Sequence, residues 1–310
     1  VTSPKADPDQ GFDPTARVPV NKAYKMYVGG AFVRSESGRY FQSRAHPSGP
    51  DGAADPDVVN LPRGSRKDAR DAVLAAKRVG EGWAARPAFN RGQILYRLAE
   101  VTESRRDELR RSIERGGLPA DQAAREVEGA VDRTVYYAGF CDKYQALVAS
   151  LNPVAGPHFA FSVPEPMGIV AILAPQRPAL LGLVSTVLPA LAGGNRCVVV
   201  AGSADPRTAV IWCECLATSD LPGGVVNVLT GRAEELGPHL ASHRQVAALD
   251  AWTDDPALEA VVEREGSGNL KRVYTHGPDA ATRMASDAAQ GLGFIECFLE
   301  TKTVWHPVGV

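Results

Sequence analysis

Between residues 168 and 277, short runs of β-branched apolar residues alternate with helical stretches, and nothing else in the chain narrows its fold so far. The runs fall at 168–174, 197–202, 225–231, 246–253 and 271–277, with helices predicted near 179–193, 206–218, 233–243 and 256–265. Strands that are almost continuously apolar have no solvated face, and crossover helices must cover both sides. The expectation is an α/β fold: a five-stranded, doubly wound parallel sheet. Its opening unit, "GIVAILAPQRPALLGLVSTVLPALAGGNRCVVVAGS" (168–203), reads as the start of a nucleotide-binding strand–helix–strand unit, yet its charged residues are Arg177 and Arg196 alone. That poverty of charge raises the question of what would hold a ribose or a phosphate.

Ahead of this region, residues 1–22 are rich in Pro, Asp and Lys without periodicity, which reads as a mobile arm. Gly29-Gly30 between two short β-like runs signals a hairpin within 25–42. Ser65 with Asp68 resembles a capping box, opening a helix with Ala69, Val73, Ala76, Val79 and Trp83 on its inner face. Two more helical stretches are expected at about 90–115 and 120–150, broken at Gly116-Gly117-Leu118-Pro119, with Arg/Glu-rich solvated faces. "FLETKTVWHPVGV" (298–310) forms one further β-like strand, ended by Pro307, with no place in the five-stranded sheet.

A net charge of -2 and a pI near 6.4 supply no basic field, so nucleic acid is not expected as a partner. Apolar runs broken by Pro or Gly and an N-terminus without an apolar core imply neither a membrane span nor a secretory signal. Cys141, Cys197, Cys213, Cys215 and Cys297 are odd in number and irregular in spacing, which fits reduced thiols in a cytoplasm. Cys213 and Cys215 do not share a helical face. His239 and His243 have the i, i+4 spacing of a two-His metal site but no adjacent Glu and no third ligand, so a surface or capping role is expected and no metal. "GGN" at 193–195 is not a dinucleotide fingerprint.

Six segments, "MYVGGAFVRSESGR", "EVEGAVDRTVYYAGFCDK", "PEPMGIVAIL", "LPALAGGN", "LPGGVVNVLTG" and "GNLKRV", follow one another in an order that resembles the aldehyde dehydrogenase superfamily over about 24–275, and again over 297–310. The resemblance implies a five-stranded dinucleotide-binding domain, a catalytic domain, and a β-hairpin plus terminal strand that oligomerise. Where the family shows Pro-Trp-Asn-Phe-Pro, whose Asn steadies the oxyanion, this chain has Pro175-Gln176-Arg177-Pro178-Ala179, with Arg177 at the Asn. The family's ribose-binding Lys-Pro-Ser-Glu aligns with Val200, Ala201, Gly202 and Ser203. Its pyrophosphate turn, Phe-Thr-Gly-Ser, aligns with Trp252-Thr253-Asp254-Asp255, where two carboxylates repel a diphosphate, Asp254 or Asp255 caps the next helix, or both hold together. His276 aligns with the family's general base Glu, without the Gly pair that follows it.

The family inserts its catalytic domain between the fifth strand and the terminal strand, whereas residues 276–296 leave 21 residues here. The catalytic domain is therefore expected to be absent. Cys297 lacks the Gly-Gln-x-Cys context of the nucleophile and is assigned to packing. The layout implied is a mobile arm (1–22), a hairpin-and-helix portion (23–157), an oligomerisation hairpin (158–166), a dinucleotide-binding-like domain (167–277), and a linker helix with an oligomerisation strand (278–310). It resembles the catalytically incomplete second half of family 16 aldehyde dehydrogenases. The function implied is a non-catalytic subunit: no catalytic residue, no cofactor or at most weak NAD(P) binding, and Arg177, Val200, Ser203, Asp254 and His276 as degenerate coenzyme positions. The partner implied is a full-length aldehyde dehydrogenase, or a second copy, joined through 298–308. The alternative is an NAD(P)-dependent aldehyde dehydrogenase subunit, in which His276 or a coenzyme contact serves a shared site. A third reading is a scaffold with another ligand in the crevice at the strand ends.

Overall fold

The computed structural model describes residues 22–43, 58–277 and 283–309. The expected arm at 1–22 lies outside them except for Lys22, whose ammonium pairs with Glu108 at 3.2 Å and Glu214 at 2.8 Å. A hairpin of β1 (Met26–Val28) and β2 (Ala31–Val33) comes first, followed by the paired strands β3 (Tyr40–Ser43) and β4 (Val59–Pro62). Ser65 and Asp68 close a reciprocal capping box at the head of α1 (Arg66–Val79), which buries Ala69, Ala72, Val73 and Ala76. Trp83 is buried as expected but beyond the helix, where its indole N–H donates to the Leu191 carbonyl at 3.2 Å.

The expected helix at 90–115 is two helices, α2 (Ala88–Ser104) and α3 (Arg106–Arg115). Thr102 and Ser104 turn their hydroxyls back onto the Leu98 and Val101 carbonyls, and Arg105 leaves helical geometry with φ -106°. The next helix also ends earlier than expected. It becomes α4 (Ala120–Phe140), a short α5 (Tyr144–Val148), and then β5 (Ser150–Asn152), because Ser150 to Asn152 pair with the long strand β6 (His158–Pro166).

The parallel unit follows as β7 (Ile169–Leu173), α6 (Leu181–Ala192), β8 (Arg196–Val200), α7 (Arg207–Ala217), β9 (Val226–Leu229), α8 (Ala233–Ala241), β10 (Ala248–Ala251), α9 (Pro256–Gly266) and β11 (Arg272–Thr275). Five parallel strands run in the order β11-β10-β7-β8-β9, and the chain reverses its winding between β7 and β10. The hairpin adds β1 and β2 antiparallel beyond β9, so the sheet has seven strands rather than the five of its parallel part. Asn227 accepts the Gly29 amide at 2.8 Å, and a Cβ on Gly30 would lie 2.8 Å from Gly223 Cα, so two glycine backbones meet where the hairpin docks. One face of the sheet packs on α2, α4, α6 and α7, the other on α1, α8 and α9. Every residue of α6 is buried, which explains its lack of a polar face.

The chain ends in α10 (Leu292–Glu296) and β12 (Leu299–Pro307). β12 belongs to a separate three-stranded sheet, β12-β6-β5, pairing with β6 from Leu299↔Pro166 to Pro307↔His158. The expected hairpin at 158–166 is thus a single strand held between β5 and β12. The expectation that 298–308 finds its strand partner in another subunit is corrected for one edge, which is used inside the chain. Its outer edge has no strand partner among the described residues.

Candidate functional site at the strand ends

In a doubly wound sheet the loops at the C-terminal ends of the strands form the ligand crevice, centred where the winding reverses. After β7 the loop carries a cis Arg177–Pro178 bond. Arg177 is exposed and donates from Nη2 to the Gly116 carbonyl at 2.7 Å, so it leans toward the α3–α4 turn. Val200, the last residue of β8, is buried at 1 % exposure, and Ser203 beyond it is half-buried. Asp205 dominates this end of β8, where it accepts from Arg207 at 2.8 Å and from the Ser43 hydroxyl at 3.1 Å. The Asp205–Arg207 pair is nearly dry, with side chains 11 % and 3 % exposed.

After β10, Asp254 is exposed, while Asp255 accepts the Ala257 amide at 2.9 Å and caps α9. The capping reading therefore holds for Asp255. The carboxylate that faces inward is one the sequence reading passed over. Asp250, inside β10 and 5 % exposed, accepts from the Trp252 indole at 2.7 Å through Oδ2 and meets His276 Nε2 at 2.6 Å through Oδ1. The His276 ring stacks on Trp252 with centroids 3.5 Å apart and 13° between planes. On the same indole lies the Arg283 guanidinium, 5.8 Å from the ring centroid, and Arg283 also donates to the His276 carbonyl. An acidic residue within a fully buried strand must find donors, and "VAALDAW" carried that signal. The identity of the donors did not follow from it.

The segment from Arg283 to Phe298 runs as a strap along the sheet, from the C-terminal strand ends at Trp252 and His276 to the N-terminal strand ends at Asn195 and Arg272. Arg133 on α4, 3 % exposed, donates to the Ser185 hydroxyl at 2.7 Å and to the Ala289 and Ser286 carbonyls at 3.0 Å each. Met284 and Ala289 pack with Trp252 in a small buried cluster. Arg272 donates to the Cys297 carbonyl at 3.1 Å and the Leu299 carbonyl at 2.7 Å, the Tyr274 hydroxyl donates to the same Cys297 carbonyl at 3.0 Å, and Asn195 donates to the Phe298 carbonyl at 2.9 Å.

All five cysteines are free thiols. Burial raises each of them, to about 12 for Cys141 and about 11 for Cys215, and upward as well for Cys197, Cys213 and Cys297. A thiol held protonated is a poor nucleophile. His239 is lowered by burial, and His243, also lowered, accepts the Gln245 amide at 3.2 Å on Nδ1, as a turn cap. No group of three or more metal-ligating side chains occurs among the described residues. No helix among them is long and apolar enough to cross a membrane.

A doubly wound parallel sheet covered by helices on both faces, with a separate three-stranded antiparallel sheet, defines the class as a doubly wound α/β protein. The aldehyde dehydrogenase family model matches residues 51–280, and the chain belongs to that family. It is similar to a hydroxyisobutyraldehyde dehydrogenase of Mycolicibacterium austroafricanum, 33 % identical over 251 residues, covering 80 % of this chain and 47 % of that protein. The crystal structure of HpcC from Thermus thermophilus superposes with a TM-score of 0.75 at 28 % identity, covering 83 % of this chain and 48 % of that one. An NAD+ complex of an aldehyde dehydrogenase from Bacillus cereus shares the fold, with a TM-score of 0.75 at 23 % identity, over 82 % of this chain and 50 % of that one. The chain spans about half the length of these relatives.

Proposed function

We propose that this chain is a non-catalytic, aldehyde-dehydrogenase-like subunit that assembles with a full-length aldehyde dehydrogenase and acts in the cytoplasm. The observation that carries the reading is the strap. It is the short connection from β11 to β12: it begins against Trp252 and His276 at the C-terminal strand ends, and Arg133, Asn195, Arg272 and Tyr274 bind its remainder down along the sheet. Trp252 and His276 fill the turn region where the family resemblance puts coenzyme contacts. Val200 and Ser203 stand in place of the charged ribose ligands, so charge-assisted hydrogen bonds of about 1.5–3 kcal/mol each are missing. NAD and NADP are expected to bind weakly or not at all.

The assembly part rests on β12. Its outer edge is open among the described residues, and of its nine residues Leu299 alone is buried, with Trp305 60 % exposed. An edge of that length is a template for another chain. Co-expression with a full-length aldehyde dehydrogenase, with and without residues 298–310, tests it: co-purification is expected to need the strand, and undiminished recovery of the truncated chain overturns it. Self-association through the same edge is the competing outcome. The purified chain is expected to reduce neither NAD nor NADP with aldehydes. Turnover abolished by Cys297→Ala would end the non-catalytic reading.

One observation favours a second reading, an NAD(P)-dependent aldehyde dehydrogenase subunit. His276, which the family resemblance aligns with the general base, meets Asp250 through one ring nitrogen at 2.6 Å, the arrangement by which a carboxylate sets up an imidazole base. A micromolar dissociation constant for NAD or NADP by calorimetry would favour it.

A further inference from the structure

A second region at the strand ends plays no part in the assembly reading. Beside the loops after β7 and β8, a cavity of about 270 Å³ opens between α3, α4 and the start of α6. Its wall is apolar, from Ile113, Leu118, Pro178 and Ala179, and Glu126 and Arg177 also line it. Glu126 is 6 % exposed. Two hydrogen bonds, from the Leu180 amide at 2.7 Å and the Leu181 amide at 3.3 Å, end on Oε1, and the Ala179 amide also favours the charged carboxylate. Burial pushes its carboxyl above the usual range, against the pull of the backbone amides and of Arg177. Capping α6 accounts for Oε1, the oxygen on which the Leu180 and Leu181 bonds both end. A buried carboxylate is held at a net cost unless donors reach it.

Arg177 has the opposite character. It is exposed, and among the described residues the one acceptor for its five N–H donors is the Gly116 carbonyl, 2.7 Å from Nη2. The neighbouring Gln176 accepts the Ala204 amide on Oε1 at 2.9 Å, which leaves its amide nitrogen as a further donor. Asp205, the other acid in the lining, is neutralised by Arg207. The cavity thus presents one carboxylate and one guanidinium across apolar carbon.

We propose that this cavity binds a short amino acid as its zwitterion, with the ammonium on Glu126 Oε2, the carboxylate on Arg177, and the carbon chain against Ile113, Leu118 and Pro178. An amine alone leaves Arg177 without an anion. A carboxylate alone sits beside the negative charge of Glu126. A zwitterion meets both groups and remains neutral overall.

Calorimetric titration of the full chain with 4-aminobutanoate, butylamine and butanoate, which share a carbon skeleton, tests the assignment. The zwitterion is expected to bind at least about ten-fold tighter than either single-charge analogue. Glu126→Gln keeps a carbonyl for the Leu180 and Leu181 amides, and it should reduce 4-aminobutanoate to the affinity of butanoate. Arg177→Met, at an exposed position, should reduce it to that of butylamine. Equal affinity for all three compounds overturns the proposal, as does failure of 4-aminobutanoate, 3-aminopropanoate and glycine to bind at all. If Glu126→Gln does not fold, Arg177→Met decides: unchanged zwitterion binding there also overturns it.

Discussion

The two sheets of this molecule are built on opposite terms. In the seven-stranded sheet every residue of β7, β9 and β10 is buried, both faces are covered by helices, and the β9 edge is closed by the hairpin. In the three-stranded sheet, Ser162 bonds to Asn152 and to Thr303 at 2.8 Å each, yet Leu151, Phe159 and Trp305 lie 68 %, 48 % and 60 % exposed. Its strand hydrogen bonds are made, but its side chains find little to pack on. The first sheet is stabilised by what it buries within the chain. The second keeps its apolar surface available, and the proposed assembly gives that surface a purpose.

The sharpest test of this contrast is a pair of truncations. Leu188→Ala, at a fully buried site on α6, should cost about 3 kcal/mol in denaturant unfolding. Val304→Ala on β12 should cost about 0.5 kcal/mol, since its side chain is half-buried. Comparable losses at the two sites would mean that the sheets do not differ in the way described.

A smaller effect is expected where the strap joins the buried sheet. Arg133→Met removes three hydrogen bonds and leaves the Ala289 carbonyl unpaired, while the Ser286 carbonyl keeps the Ala289 amide, at a cost of about 2 kcal/mol. Limited proteolysis should then cut within 283–298 faster than in the unmodified chain. Protection that stays the same would show that Arg133 is not what holds the strap.

His276→Leu keeps bulk on the Trp252 ring and loses the Asp250 contact, so thermal unfolding should register about 1.5 kcal/mol of destabilisation. The matching change on the exposed strand, His306→Leu, should register almost nothing. Equal responses would remove His276 from any organised cluster.

The smallest effect is a pH dependence. Lys271 donates to the His243 carbonyl at 2.9 Å, and burial lowers its pKa from 10.5 to about 8. Between those values Lys271 binds more protons in the unfolded chain than in the folded one, so its own contribution to stability, read as the difference from Lys271→Met, should rise from about pH 8 to 10.5, against the opposite trend of the buried thiols. Partial exposure and the carbonyl acceptors limit the gain to about 1 kcal/mol.

Much of the parallel unit was legible in the sequence because its signals are local. The five runs of β-branched residues became β7 to β11, and the Ser65–Asp68 pair became a working cap. The split at Arg105 was missed because Thr102 and Ser104 act on carbonyls about one turn back, which an apolar period does not register. The candidate site was legible as a set of altered positions. Arg177, Val200, Ser203, Asp254 and His276 do lie at the strand ends, but they do not converge on one group. Asp250, Arg133 and Glu126 went unread, since a lone charged residue in an apolar or helical run shows that it needs a partner and not where the partner is.

Fold class and winding were therefore determined by the chain itself, through periodicity, capping and residue type, which act over a few neighbouring positions. The tertiary structure alone decided three things: that β12 spends one edge on β6, that the strap is tied to Arg133 and Arg272, and that Asp250 binds His276 and Trp252 together. Each joins residues through a contact whose geometry depends on how whole elements pack, and each depends on burial that raises the penalty for an unmatched polar group.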